Sequence, residues 1–442
     1  MTATLSGFPY TPLRFDAAGA LGPGGTGLNA DGLAAWLAAG QATDAVLLSH
    51  GWRNDAPTAH RLYDTLAASA RAVLPRVPGA GGRRIHLVGV HWPSQHFAPV
   101  TDPLTEPSSD ASAGWVPRTR GARPAEVRDG YERFIGALDP KARADAPDGT
   151  TLAFEIERSP SARVRLVRWV QTVLPGRQAP AGALDGASEP DDENGLLAAD
   201  PEDVVRRLSS DVVAPADQEG DGTVGAGGGV TGRHSRAAVR LLDFGTYAVM
   251  RDRAGRIGAR GLAPVLDRLH DLVPHCAVHL VGHSFGARLA ATAALATARP
   301  GQVRSLCLLQ AAFSHYGLAH RWDGTADGEF RGLIGQQLVS GPLLVTHTVN
   351  DRAVGYPYAV ASLLLGHVGV GLGGPDSAYG ALGRNGARRT PEADGLTLLG
   401  VGEPYTWRSG RVHNLRADAF VSGHHDVAGH EVAHAVLSAV TA

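Results

Sequence analysis

Short apolar runs recur along this chain, and between them apolar residues return at every third or fourth position. Runs of the first kind read as strands buried on both faces, and stretches of the second kind as helices packed by one side. The N-terminal part predicts a short strand at residues 13–15, a Gly-rich turn and a helix over 31–39. An apolar run at 44–49 leads into His50-Gly51-Trp52, and a second, from Ile85, is stopped by Pro93. Between them, residues 57–73 carry Leu62, Leu66, Ala70 and Val73 on one helical face. Strand, helix and strand at this spacing make a βαβ unit, which implies a parallel sheet.

The pattern changes after Trp92. Residues 95–235 are rich in Pro, Gly and Asp and hold few long apolar periods. Helices are predicted there at 161–174, with Val164, Val167, Val170 and Leu174 along one side, and near 201–208. The acidic stretch 189–193 and the glycine-rich 219–232 read as exposed loops. This region is expected to be a cap inserted over the sheet, its 161–174 helix packed on the core rather than serving as a lipid-touching lid. Regular patterning resumes at Arg236, with a helix to about Arg253, a break at 255–258, and a second helix to Leu272. Further strands are expected at 276–281, 303–310, 341–351 and 412–420. Helices are expected at 287–296, 355–366 and 427–440, and a Gly-rich excursion at 368–411. The fold class is α/β, a doubly wound, mostly parallel sheet built from 1–94 and 236–442, with 95–235 as a large cap insertion.

The 442 residues are 43% hydrophobic and 19% charged, a balance that can bury a large core. A net charge of −2 carries no basic signature for nucleic acid or an acidic membrane surface. Cys276 and Cys307 lie in apolar strand runs and read as small buried hydrophobes in a reducing compartment. The first ten residues lack the basic and apolar segments of an export signal, and no apolar run approaches a membrane span. A cytoplasmic protein is expected, although a leaderless exported effector would carry the same pattern.

The 276–281 run leads into Gly282-His283-Ser284-Phe285-Gly286 and an alanine-rich helix, a G-x-S-x-G turn between strand and helix. A serine at such an apex takes a strained backbone conformation that lifts its hydroxyl above the sheet, and the glycines avoid collisions with neighbouring backbone. The helix starting there turns its N–H groups toward developing negative charge. A serine hydroxyl needs a base to take its proton and an acid to orient that base. Loops after the C-terminal ends of parallel strands share one face, so the partners can come from far along the chain. The 303–310 strand ends without a carboxylate, whereas the next ends in Asn350-Asp351, which makes Asp351 the candidate acid rather than a turn aspartate. The last strand is followed by Gly423-His424-His425; His424 is the candidate base and His425 the alternative. An oxyanion needs two N–H donors: the Phe285 backbone, and the His50-Gly51-Trp52 turn, where Trp52 is the candidate and Gly51 the alternative.

These residues resemble the α/β-hydrolase superfamily. They are most similar to a bacterial branch of serine hydrolases with H-G-W after the early strand and W-P-S after the next, here His50-Gly51-Trp52 and Trp92-Pro93-Ser94. The resemblance covers roughly 1–94 and 236–442. It implies an esterase or lipase with Ser284, His424 and Asp351 as its triad, acting on a small-molecule or lipid ester without cofactor or metal. Peptidase or amidase chemistry on the same triad is the alternative. Substrate choice is expected to reside in the insertion and the 368–411 excursion, which the resemblance does not inform.

Two further patterns compete. His430-Glu431-Val432-Ala433-His434 is an H-E-x-x-H on a predicted helix, the spacing of two zinc ligands around a general base. No Asp, Glu or His follows His434 to act as a third ligand, which disfavours a zinc peptidase. Gly369-Val370-Gly371-Leu372-Gly373-Gly374 follows a predicted helix rather than a strand, so a dinucleotide site is not expected. A non-catalytic binding protein would have no need of nucleophile, acid, base and oxyanion turn together.

Overall fold

A computed structural model describes residues 3–22, 28–94, 124–174, 176, 182–185, 188, 193–209, 232–351, 353–354 and 377–442. Among them the strands are β1 (Thr4–Leu5), β2 (Phe8–Arg14), β3 (Asp44–Ser49), β4 (Ile85–His91), β5 (Ala277–His283), β6 (Ser305–Leu309), β7 (Leu343–His347), β8 (Ala393–Thr397) and β9 (Val412–Arg416). They form one sheet in the order β1-β2-β4-β3-β5-β6-β7-β9-β8. Only β1 pairs antiparallel; every other neighbouring pair is parallel. The molecule is therefore an α/β protein with a mixed, mostly parallel sheet.

The continuous apolar runs follow from cover on both faces. On one side α1 (Ala30–Ala39), α9 (Ala263–Leu272) and α10 (Phe285–Leu295) bury Leu37, Leu266 and Leu289 with Ala45, Leu47 and Leu280 of the sheet. On the other, α2 (Ala56–Val73) and the C-terminal helix His430–Val440 bury Leu66 and Val436 with Val46 and Leu48. Alternate β3 residues thus enter opposite cores. Asn29 and Asp55 cap α1 and α2, accepting the Gly32 and Thr58 N–H groups at 2.8 and 2.7 Å.

Chain order runs from β3 out to β4 and then back across β3 to β5, so β3 and β5 adjoin at a switch point of the sheet. Ser49 pairs with Gly282, which brings the turn after β3 and the turn after β5 out side by side. Open α/β sheets bind ligands at this kind of crevice.

Residues of the insertion form α3 (Pro124–Ala137), α4 (Gly149–Glu155), α5 (Pro160–Val173), α6 (Glu193–Ala198) and α7 (Pro201–Leu208). Helices α3, α5 and α7 pack on α8 (Arg233–Ile257), where Phe134 and Leu208 share one apolar cluster with Leu241 and Leu242, while α4 packs on α3 and α5, and α6 on α5. The predicted 161–174 helix is α5, and its Trp169 packs edge-on against Phe134 at 5.3 Å between ring centres. Arg253, 2% exposed, ties this layer down by donating to the carbonyls of Ala137 and Pro93 at 2.6 and 3.0 Å.

Several expectations need correction. The helix break at 255–258 does not occur: α8 continues through a π turn, Gly258–Leu262, into α9. Gly258 fits there because a side chain would meet the Leu289 carbonyl of α10 at 2.5 Å, and Pro264 then falls in the first turn of α9, where its missing N–H is tolerated. The strand predicted at 13–15 starts earlier, at Phe8, and those predicted to reach 351 and 420 stop at His347 and Arg416. The 368–411 excursion contains β8, an edge strand parallel to β9. The helix expected at 355–366 and the glycines at 369–374 lie outside the described residues. Among the described residues, no helix is long and apolar enough to cross a membrane.

Candidate active site

Strand β5 ends at His283 and α10 begins at Phe285, leaving Ser284 between them at φ 58°, ψ −122°. A non-glycine residue at this φ costs on the order of 1–3 kcal/mol and persists only where neighbours enforce it. Here the Ser284 N–H donates to the Leu309 carbonyl at 3.0 Å, and the Ser284 carbonyl accepts from Ala312 at 3.2 Å. The flanking glycines are steric necessities. A Cβ on Gly282 would lie 2.3 Å from the Gly286 carbonyl oxygen, and one on Gly286 would lie 2.2 Å from that of Ser49.

The turns after β7 and β9 bring their residues to the same place. Ser284 Oγ lies 2.9 Å from His424 Nε2, and His424 Nδ1 lies 2.7 Å from Asp351 Oδ2. The carboxylate can only accept, so Nδ1 carries the ring proton, and Nε2 is left to accept the hydroxyl proton of Ser284. Asp351 is fully buried and its other oxygen accepts the Val354 N–H at 3.3 Å. Asn350 locks the two turns together, donating to the carbonyls of Asp418 and Val421 at 3.2 and 2.9 Å. Asp426 closes the histidine turn by accepting the Ser422 N–H and hydroxyl at 3.0 and 2.8 Å. His425, the alternative base, is exposed and makes no hydrogen bond to Ser284 or Asp351.

The two tryptophan motifs form one scaffold beside the serine. Trp92 Nε1 donates to the His50 carbonyl at 2.9 Å, while Ser94 Oγ donates to the Asn54 carbonyl at 2.7 Å and accepts the Asn54 N–H at 3.2 Å. The Trp92 N–H donates to His50 Nε2 at 3.3 Å, so the His50 proton sits on Nδ1, which donates to the Gly51 carbonyl at 2.9 Å. Burial holds this imidazole neutral, its pKa pushed down to about 4. Asn54 Nδ2 donates to the same carbonyl at 3.1 Å. The Gly51–Trp52 peptide is trans, so fixing its C=O toward His50 and Asn54 turns the Trp52 N–H the opposite way. Neither the Trp52 nor the Phe285 backbone N–H donates to an acceptor among the described residues. Both are available to an oxyanion formed at Ser284, and the Trp52 and Phe285 rings lie 6.1 Å apart. Asn54 and Ser94, which hold this turn, carried no sequence signal of their own beyond the W-P-S run.

Helix α8 packs beside the start of α10. Its Tyr247 ring lies 5.0 Å from that of Phe285, and Asp243, one turn earlier, accepts from Arg133 of α3 at 3.1 Å. Burial raises the Asp243 pKa, opposed by the charges of Arg133 and Arg53. Arg53 itself sits over the Trp52 ring at 4.8 Å. The insertion is thereby joined to the wall of the crevice through a charged pair.

The H-E-x-x-H residues form no centre. His434 is 1% exposed and its Nε2 accepts the Gly402 N–H at 3.2 Å, while His430 is exposed. Among the described residues no cluster of His, Cys, Asp and Glu is arranged to hold a metal ion. A second Ser-His-Asp array, without a motif in the sequence, is present: His279 Nδ1 lies 2.7 Å from Ser305 Oγ, and its Nε2 lies 3.2 Å from Asp44 Oδ1. All three residues are fully buried where β3, β5 and β6 begin, away from the crevice. Comparison with protein families, with curated proteins and with solved structures finds no match to this chain.

Proposed function

We propose that the chain is a serine hydrolase of the α/β-hydrolase type that cleaves a carboxylic ester through an acyl-enzyme. The observation that carries this reading is the continuous chain Asp351–His424–Ser284, at 2.7 and 2.9 Å, built on a strained serine at a switch point of the sheet. His424 Nε2 takes the Ser284 proton as Oγ attacks the ester carbonyl, and Asp351 stabilises the imidazolium that forms. The Trp52 and Phe285 N–H groups receive the oxyanion, each such donor contributing about 3 kcal/mol to the transition state. His424 then protonates the leaving alkoxide. Water, deprotonated by the same nitrogen, releases the acid and restores Ser284.

A fluorophosphonate probe tests the reading directly. The wild-type chain becomes labelled at Ser284 and Ser284→Ala does not; labelling that survives in Ser284→Ala removes the serine from the reaction. A chain-length series of acyl esters, run beside peptide and amide substrates, then defines the bond cleaved, and turnover of amides alone would replace the esterase reading with the amidase one.

A further inference from the structure

His283 immediately precedes the nucleophile, yet its ring takes no part in the proton transfers just described. It is 5% exposed and points beneath the triad, where its Nε2 lies 2.8 Å from the backbone carbonyl of His424. A carbonyl only accepts, so Nε2 carries the proton and donates it there. The other nitrogen, Nδ1, is buried without a hydrogen-bond partner. It lies 3.2 Å from the point a Cβ on Gly51 would occupy, against the turn that carries Trp52. The His283 ring also packs 4.8 Å from the ring of His424.

We propose that His283 is a positioning residue for the base: its Nε2–H fixes the His424 main chain so that the imidazole spans Ser284 and Asp351 together. The inference rests on the hydrolase reading. His424 follows a turn, where main-chain drift would carry the ring with it. Asp351 holds one ring nitrogen and Ser284 the other. Once Oγ bonds the substrate, Asp351 alone remains, and one hydrogen bond to the ring does not fix the main chain that carries it. An anchor at the carbonyl, donated by a residue of β5, fixes that main chain. The anchor needs the Nε2–H, since an Nδ1–H tautomer would leave the His424 carbonyl unbonded. Burial, with the neighbouring His424, His425 and His50, holds its pKa well below the ordinary value.

Two substitutions separate positioning from structure. Gln can present an N–H close to the position of Nε2, whereas Leu fills similar space with no donor. With the fluorophosphonate probe, His283→Leu is expected to lower the maximal labelling rate about ten- to a hundred-fold with half-saturating probe concentration unchanged, and His283→Gln to recover most of the loss. A folded Leu variant that labels at the wild-type rate, or a Gln variant as slow as Leu, overturns the proposal. Long-range ¹H–¹⁵N NMR of the wild-type imidazoles provides a readout independent of catalysis. His283 is expected as the neutral Nε2–H tautomer at pH 7 to 9, and the Nδ1–H form in that range also overturns it. Wild-type chain that no probe labels, with the tautomer as expected, would instead count against the hydrolase reading alone.

Discussion

Gly51 faces Ser284 so closely that a methyl group on it would lie 2.8 Å from the serine Cβ. Both positions are fixed by the sheet, because β3 and β5 are paired directly through Ser49 and Gly282. Gly51→Ala must therefore displace either Ser284 or the turn that offers the Trp52 N–H. A displacement near 1 Å at reacting groups costs about a hundred-fold in rate. The variant is expected to keep its melting temperature within a few degrees and to lose fluorophosphonate labelling by that order. Labelling at the wild-type rate would mean that the turn yields freely and that its geometry is not used.

Asp351 contributes an acceptor to His424 Nδ1, and an amide in its place can offer an N–H instead. Asp351→Asn leaves the shape of the buried site nearly intact but favours the tautomer in which Nε2 holds the proton and cannot accept one. The acylation rate is expected to drop about 10⁴-fold with little change in thermal stability. An Asn variant within ten-fold of wild type would assign the orienting role to another group.

Three buried histidines set a pH limit on the fold. Burial lowers His50 to about 4 and, aided by neighbouring positive charge, His91 and His315 to about 3. Each is neutral in the folded chain but takes a proton near its ordinary pKa of about 6.5 once unfolded. The unfolded state therefore binds more protons below that pH, and stability falls as pH falls. The full contribution is present above about 6.5 and is lost progressively down to the folded values, each histidine costing about 1.4 kcal/mol per pH unit inside its window. Urea midpoints measured between pH 7.5 and 5 should decline steadily, and a flat profile would show that these rings ionise inside the fold. His50→Gln should flatten the slope by about one proton.

The parts of this molecule that were legible in the sequence are those where one physical requirement dominates. Strands β3, β4, β5, β6 and β7 are buried on both faces, which demands apolar runs. Ser284, Asp351 and His424 follow the ends of β5, β7 and β9, in a topology that brings such ends together. Strand β8 was missed because it is a mostly exposed edge, Ala-Asp-Gly-Leu-Thr, with no core to select its residues. Helix α3 did carry a signal, Val127, Tyr131 and Phe134 at helical spacing, which the surrounding Pro and Gly obscured. The helix break at 255–258 failed because glycine there serves close packing of α8 on α10 and not chain reversal. The roles of His283, Asn350 and Ser94 depend on contacts with distant main-chain atoms, and local sequence holds no record of those.

The buried array Asp44–His279–Ser305 has the residue types of a catalytic triad and none of its access. His279 presents Nε2 to a carboxylate and Nδ1 to a hydroxyl, so the ring joins β3 to β6 across β5. Arg83 completes the set with a 2.8 Å bond to the same carboxylate oxygen. Ser305 lies at the first residue of β6, the opposite end from the crevice, so no substrate carbonyl can reach it. Ser305→Ala is expected to leave fluorophosphonate labelling unchanged while lowering stability by about 1 kcal/mol. His279→Leu should cost more, about 1–3 kcal/mol, because it leaves two buried polar partners short of a bond. Comparing this pair with Ser284→Ala and His424→Ala sorts the two arrays by measurement: the first should shift urea midpoints and spare labelling, the second should abolish labelling and spare the midpoints. Loss of labelling in a folded Ser305→Ala would instead place the reactive serine at the wrong end of the sheet and dismantle the assignment.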